Sequence, residues 1–412
     1  MVSELVDRGL LRLEWARAHM PVLATVRKDL VASKALKGVR IGMALHTEAK
    51  TGVLALTLKE AGAKVRLASC NPLSTDDAVA AALNEKFGLE TYAKKWETKD
   101  QYYENLNRVL DLEPEIVIDD GMDLVHLLHT KRRDLLKNVR GGNEETTTGI
   151  IRLRAMEKAG KLEFPVVDVN DAKMKHLFDN RYGTGQSTMD GIMTATNLLI
   201  AGKTFVVAGY GWCGRGIASR AHGLGASVVV TEIDPVKAIE ATMDGFRVMP
   251  MADAVKEADF IVTATGMKDV VREEHFRSIK DGCVLANAGH FDNEVSKADL
   301  ERLGTKRRVR ELVEEYALKG GKKVYLLADG RLVNLAAGQG HPAEIMDMSF
   351  SIQALCAEYL ARKADSLGKR VVPVPEEIDE RVARRKLDTL GVSVDALTAD
   401  QRRYLETWSE GT

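Results

Sequence analysis

The sequence predicts an α/β protein built from two doubly wound parallel-sheet domains. Three observations carry this reading. Short apolar runs alternate with helical patterns along most of the chain, and the rhythm restarts near residue 185. One run, "TFVVA" at 204–208, leads straight into glycines at G-x-G-x-x-G spacing: Gly209, Gly211 and Gly214. The 412 residues are long enough for two or three domains with ample core.

In chain order, the first strands are "VRIGMAL" (39–45), "KVRLAS" (64–69), "EIVIDD" (115–120) and "FPVVDVN" (164–170). Each is a near-continuous apolar run, the pattern of a strand covered on both faces. Helical patterns lie between them, as at 75–87, where Val79, Ala82 and Leu83 share one helical face. A helical stretch at 186–201 follows. Five more strands then come: "TFVVAG", "SVVVTEI", "DFIVTATG", "CVLANAG" and "KVYLLAD". From Pro342 a long helical pattern runs to about Leu367. The expected division is therefore four segments. Residues 1–184 begin a substrate-binding domain, and 185–340 form an inserted dinucleotide-binding (Rossmann) domain. Residues 341–380 return to the first domain, and 381–412 form a short amphipathic tail, too short to fold alone, that packs on a partner or on the body. A site between two such sheets falls at the C-terminal ends of both sets of strands.

Composition narrows the function classes. The 59 Lys and Arg nearly balance the 60 Asp and Glu, which argues against a nucleic-acid partner held by bulk charge. Cys70, Cys213, Cys283 and Cys356 lie far apart with no C-x-x-C pair, so free thiols are expected and no metal site. The start, "MVSELVDRGLLRLEWARAHMPVL", carries charges throughout, unlike a signal peptide or a membrane span. A soluble, cytoplasmic protein is the expectation.

The glycine turn has the context a dinucleotide needs: a strand before it, a helix pattern after it, and Glu232 at the end of the next strand. The glycines allow a tight turn and close approach of a pyrophosphate to a helix N-terminus. Glu232 would bind the adenosine ribose diol and disfavour a 2′-phosphate, so NAD is expected over NADP. Lys237, five residues on, would soften that preference.

Five loops at strand ends are rich in reactive side chains: "IDDGMDL", "GGNEETTTG", "AKMKHLFDNRYG", "NAGHFD" and "LVNLAAGQGHPAEIM". Any one of them has a plain reading as helix caps and first-turn acids. Together, with "AGYGWCGRG", "TEIDP" and "GRLVNL", they resemble the S-adenosyl-L-homocysteine hydrolases over nearly the whole chain, from Leu45–His46 to the "YLE" at 404–406.

The resemblance implies a redox cofactor in a reaction with no net redox change. NAD, one per subunit, stays bound through turnover. The ribose 3′-hydroxyl is oxidised, the ketone acidifies the C4′ proton, homocysteine leaves from C5′, water adds, and the ketone is reduced. It also implies roles by position. Lys175 and Asp179 meet the 3′-hydroxyl, Asp120 is the base at C4′, and Glu145 binds the ribose. His46 and His290 serve C5′. Thr146, Thr147, Thr148 and Asn180 lie beside the nicotinamide. Trp212, Cys213, Asn287, Ala288, Gly289 and Asn334 add cofactor contacts, and His341 forms a lid over the base. Thr184 stands where many members carry a cysteine. Homotetramers with no membrane partner are usual, and Leu387, Leu390, Val392, Leu397, Tyr404 and Leu405 of the tail suit a contact between subunits. This sequence ends at "SEGT", without the Lys- and Tyr-bearing extension of longer members, so looser NAD retention is expected. Two rivals stay open: a dehydrogenase with net hydride transfer, and a non-catalytic relative of the same fold.

The resemblance leaves the purine open. Adenosine-using members read roughly L-H-M-T-x-E-T after the first strand. Here "LHTEAKT" puts Glu48 and Lys50 at the two polar positions before Thr51, and Gln339 replaces an apolar residue near the same base. Lysine only donates, so it suits the O6 of hypoxanthine and not the N6 amine of adenine. Glu48 would accept from N1–H, and Gln339 would serve either edge. The expected substrate is thus S-inosyl-L-homocysteine, with the S-adenosyl compound as the alternative.

Overall fold

The computed structural model describes residues 2–409. Two sheets organise them. The first takes β1 (Arg40–Ala44), β2 (Lys64–Ala68), β3 (Glu90–Tyr92), β4 (Ile116–Asp119), β5 (Gly141–Glu144) and β6 (Val166–Asp168). The second takes β7 (Thr204–Ala208), β8 (Ser227–Thr231), β9 (Arg247–Val248), β10 (Phe260–Thr263), β11 (Cys283–Asn287), β12 (Gly304–Arg310), β13 (Val313–Leu318) and β14 (Lys323–Leu327). The chain then returns to the first sheet through β15 (Val371–Pro373), which pairs with β6. Strand order is β15-β6-β5-β4-β1-β2-β3 in one sheet and β12-β13-β14-β11-β10-β7-β8-β9 in the other.

Every pairing in the first sheet is parallel, with apolar clusters on both faces. The continuous burial of β4 and β5 is what parallel strands under two helical layers require. The second sheet departs from the expectation of parallel strands throughout, because β12, β13 and β14 pair antiparallel. β12, "GTKRRVR", is exposed along most of its length. Its Lys and Arg side chains protect an edge that would otherwise template another strand. β12 and β13 themselves, with β3, β5, β9 and β15, fall outside the sequence expectation, and the helix expected over 186–201 ends at Thr196.

The helix Ala343–Lys363 leaves the second sheet and buries itself against the first. Two of its polar side chains have specific work there. Asp347 accepts from the amides of Val22 (3.2 Å) and Leu23 (2.8 Å), capping the helix Pro21–Ser33, whose own cap residue Met20 supplies no side-chain bond. Ser349 donates to Asp179 at 2.8 Å. The helix Glu376–Leu390 then packs through Ile378 and Val382, whereas Ala399–Glu406 buries nothing. Leu390, Val392, Leu397, Tyr404 and Leu405 are exposed. The last residues of "SEGT" lie outside the described chain. No described helix is long and apolar enough to cross a membrane.

Candidate active site

A cavity of about 1460 Å³ lies between the two sheets, walled by the loops after β1, β4, β5, β6, β7, β8, β10 and β11 and by residues 332–350. That volume suits a dinucleotide together with a nucleoside.

The turn after β4 has two consecutive residues in the left-handed region, Gly121 (φ 104°) and Met122 (φ 72°). A Cβ on Gly121 would lie 2.4 Å from Nε2 of His290, so glycine lets the two loops close on each other. Asp120 is thereby held between two histidines. His46 Nε2 stands 3.4 Å from Asp120 Oδ2, and His290 Nδ1 stands 3.6 Å from Oδ1. The Ser74 hydroxyl bonds His46 Nδ1 at 2.7 Å, and Cys70 Sγ is 3.3 Å from the same nitrogen. Burial drags His46 down to about 4, against the pull of Asp120, so the ring is neutral near pH 7 and able to take a proton.

A second cluster surrounds Lys175. Its Nζ lies 3.3 Å from Glu145 Oε1 and 3.4 Å from Asp179 Oδ1, and donates to Asn180 Oδ1 (2.9 Å) and Asn170 Oδ1 (3.4 Å). Burial alone would lower Lys175, but Asp179 and Glu145 outweigh it and the ammonium is held more tightly than usual. Burial likewise opposes the ionisation of Asp179, yet Lys175 and His341 win and keep it a carboxylate. Glu145 goes the other way. Burial raises it to about 8 despite Lys175, so it enters neutral solution largely protonated. Gln353 donates to its Oε2.

The turn after β7 fits a dinucleotide. Gly209 has φ 95° and packs against the Ala264 carbonyl. A Cβ on Gly214 would sit 1.9 Å from the Gly209 carbonyl oxygen, so Gly214 supports the turn from beneath and does not line the cavity. The helix Trp212–Gly223 has no side-chain cap, and a Cβ on Gly211 would meet nothing, which leaves its first amides open to an anion. Glu232 accepts from the amides of Tyr210 (2.6 Å), Ile233 (2.7 Å) and Asp234 (3.1 Å), which fixes its carboxylate at the cavity wall. Lys237 also lines the wall and pairs with Asp234 at 3.8 Å. Asn334 donates to Ser187 at 3.2 Å, while its buried Oδ1 has no partner, an acceptor suited to a carboxamide N–H. These features fit NAD.

Thr146, Thr147, Thr148, Thr184, Trp212, Cys213, Ala288 and Gly289 line the same cavity. Thr184 Oγ1 lies 3.6 Å from Cys213 Sγ and 3.3 Å from His341 Nε2. The His341 side chain lines the cavity and faces Asp179 (3.2 Å) and Ser187 (3.2 Å), beside the Lys175 cluster. Besides Gly214, three expectations need correcting. Asn287 is fully buried, donating to the carbonyls of Gly289, Phe291 and Gly330 and accepting from Thr263; it shapes the loop and does not touch the cavity. Gln339 is exposed, and only its carbonyl takes part, accepting from Lys50 Nζ at 2.9 Å. Glu48 is the cap of the helix Ala49–Glu60. Its four acceptor positions take the Thr51 amide and hydroxyl, the Lys50 amide, and Lys50 Nζ at 2.7 Å.

Sequence reasoning missed Asn170, Ser74, Cys70 and Gln353. Asn170 lies two residues past the end of β6, and a polar residue near a strand end is a usable signal. Gln353 lies deep in a helix, where nothing local marks it.

The chain matches the sequence pattern of the S-adenosyl-L-homocysteine hydrolase family over residues 3–137, and that of the family's NAD binding domain over 180–340. It is 61% identical over 406 residues to the adenosylhomocysteinase of Thermoplasma volcanium, covering 98% of this chain and 99% of that one. It is 60% identical over 405 residues to the S-inosyl-L-homocysteine hydrolase of Methanocaldococcus jannaschii, covering 98% of this chain and 97% of that one. A dipicolinate synthase of Bacillus halodurans shares the fold alone, at 12% identity and a TM-score of 0.50 over 79% of this chain and 99% of that one.

Proposed function

This chain belongs to the S-adenosyl-L-homocysteine hydrolase family, an NAD-binding family of thioether hydrolases, and from that premise we propose that it cleaves S-inosyl-L-homocysteine to inosine and homocysteine, reversibly. The observation that carries the choice of base is the bonding of Lys50. Two of its three ammonium hydrogens go to Glu48 and the Gln339 carbonyl, and the third is free at the cavity wall. Glu48 accepts at both oxygens, and the longest of those bonds, from the Thr51 hydroxyl at 3.3 Å, is the one a ligand N–H would displace. With hypoxanthine, Lys50 donates to O6 and Glu48 accepts from N1–H. With adenine, Lys50 meets the N6 amine donor to donor, and an unmatched buried donor costs about 1–3 kcal/mol, roughly tenfold to a hundredfold in preference.

The residues divide the chemistry between them. NAD, when bound, would supply the hydride acceptor and donor for C3′. Lys175 is an ammonium in this site, so Nζ first releases a proton to solvent through the open cavity and then takes the proton of the 3′-hydroxyl, while Asp179 and Asn180 hold it in line. Glu145, protonated, donates to the ribose. Asp120 removes the C4′ proton made acidic by the neighbouring ketone. His46, neutral, and His290 flank Asp120 and handle the leaving thiol and the incoming water. The exposed apolar side chains of the tail are the contact surface of a homotetramer.

The test is kcat/KM for inosine and adenosine in condensation with homocysteine. Inosine is expected to win by tenfold or more, and Lys50→Glu with Glu48→Thr to return the preference to adenosine. Equal or better use of adenosine overturns the choice of base. A Lys50 held wholly within the chain, with the base bound by shape, would give that result.

A further inference from the structure

Behind the reactive layer lies a row of acids that the chemistry above does not use. β4, β5 and β6 run in parallel register, with Asp119 opposite Glu144 and Glu144 opposite Asp168. All three side chains are fully buried. Each is the last residue of its strand, one position before the loops that carry Asp120, Glu145 and Asn170. Glu144 is the middle member, and its bonds differ in kind from those of its neighbours. Asp119 serves its own loop, accepting from the amides of Asp120 (3.1 Å) and Val125 (3.0 Å). Asp168 also serves its own loop through the Asp171 amide (3.1 Å), and pairs with Arg154. Glu144 Oε1 instead joins two loops, accepting from Gly121 N on one (2.7 Å) and Thr146 N on the other (3.0 Å).

We propose that Glu144 is a positioning residue, whose single oxygen sets the Asp120 loop against the loop of Glu145 and the threonines. Two further observations support a built position. Gly149, in the helix Thr147–Lys158, has no room for a side chain: a Cβ there would lie 2.2 Å from both Cδ and Oε1 of Glu144. The second oxygen, Oε2, is buried with no partner. A carboxylate oxygen in that setting would be an uncompensated buried charge, whereas a neutral acid leaves only an unmatched hydroxyl. Burial, with Asp119 and Asp120 adding to it, pushes the Glu144 proton affinity well up. Glu144 therefore acts as a neutral acceptor, and glutamine can replace it.

This rests on the roles given above to Asp120 and Glu145, and the experiment separates the two readings. Holoenzyme is mixed with inosine and, separately, with adenosine in deuterated buffer. Bound NADH formation reports 3′-oxidation, and C4′ deuterium incorporation reports proton removal at C4′. If the unsubstituted chain shows neither with either nucleoside, the functional reading fails before Glu144 is tested. In Glu144→Gln both steps are expected within about threefold of normal. In Glu144→Ala, C4′ exchange is expected to fall about a hundredfold, and by far more than NADH formation, because a misplacement of ~1 Å costs rates of that order. If Glu144→Ala does not fold, Gly149→Ala displaces the same side chain without removing it and is expected to give the same split. Normal exchange in Glu144→Ala, or in Gly149→Ala where that is the variant tested, overturns the proposal. So does a glutamine variant as impaired as the alanine one, since a charged carboxylate would then be what the site needs.

Discussion

Asp120 has a histidine on each side and no basic side chain nearer, which makes it the one carboxylate in the cavity poised between proton carriers. Asp179 is locked by Lys175, His341 and Ser349, and Glu145 is held protonated by burial. Of the three, Asp120 alone has a histidine on each side and no lysine or arginine pair, the arrangement we propose for a general base. Replacing Asp120 with Asn is therefore expected to leave 3′-oxidation nearly intact and slow C4′ exchange by about 10²–10⁴-fold. Normal deuterium incorporation at C4′ in that variant would remove Asp120 from the role. Lys175→Ala is expected to suppress bound NADH formation itself, and with it every later step, by about a thousandfold. At this scale much of the candidate site was legible, because Asp120, His46 and His290 follow strand ends closely, and Lys175 and Asp179 lie in the polar stretch after β6, which is helical in the structure and not a loop. Glu48 and Asn287 were misjudged because the backbone around each claims polar atoms of its side chain first, and Gln339 because its side chain is exposed and only its carbonyl meets Lys50; residue type alone reveals neither.

The strands that were legible are those with continuous apolar runs: β1, β2, β4, β6 to β8, β10, β11 and β14. Those that were missed carry polar, glycine-rich or very short sequences. β5, "GGNE", has two glycines because Cβ atoms there would strike Val117, Pro165 and Leu360; packing, not propensity, makes it a strand. β12 and β13 are rich in charge because they form the edge region of the sheet, so neither strict apolar runs nor clean alternation marks them. Glycine also sets how the helices meet. A Cβ on Gly216 would lie 1.8 Å from the Arg181 carbonyl oxygen, and one on Gly185 would lie 2.5 Å from the Gly216 oxygen. The cofactor helix Trp212–Gly223 thus packs directly on the backbone that carries Asp179 and Asn180. Gly216→Ala must push the two apart, a strain of about 1–3 kcal/mol. NAD affinity is expected to fall about tenfold or more, while the melting of the first sheet stays unchanged. Titration of the apo chain with NAD, followed by circular dichroism, checks both, and unaltered affinity would show that this contact does not place the cofactor.

At the scale of the whole molecule, the two sheets share a cavity but not their chemistry. Tyr404, Leu405 and Trp408 of the tail are 53%, 70% and 97% exposed, so changing all three to Ser is expected to lower the mass seen by light scattering without unfolding the body. Unchanged mass would mean that another face holds the protomers together. The acids show the asymmetry of the two sheets more sharply. Burial raises Asp119 to about 7, Glu145 to about 8 and Asp168 to about 6, with Glu144 shifted the same way, and all four lie at or just past the ends of first-sheet strands; on the side of the second sheet Glu294, bonded to Thr265 and Gly266, is shifted likewise. Each binds its proton more tightly folded than unfolded, where carboxylates titrate near pH ~4. Their contribution to stability is thus complete below pH ~4 and is lost as pH rises through about 6 to 8. His46 has the opposite sign. It is held to about 4 when folded, so the stability tied to its neutral form is present above pH ~6.5 and is lost as pH falls towards 4. Lys175, raised, stays protonated in both states across this window, and Asp179, lowered, stays ionised in both from pH ~5.5 upward, so neither adds slope there. Four acids outweigh one histidine, so the first sheet of the apo chain is expected to lose stability as pH rises from ~4, and between pH ~6 and ~8 to lose a few kcal/mol, on the order of one pKa unit's worth per acid. Hydrogen exchange at the two pH values, corrected for the intrinsic rate, reads this strand by strand. Amides of β4, β5 and β6 should lose protection, while those of β7 and β8 should keep it. NAD should stabilise the second sheet at both pH values without flattening the slope in the first. A uniform loss across both sheets, or a slope that NAD abolishes, would show that the acid row does not set the alkaline limit of this fold.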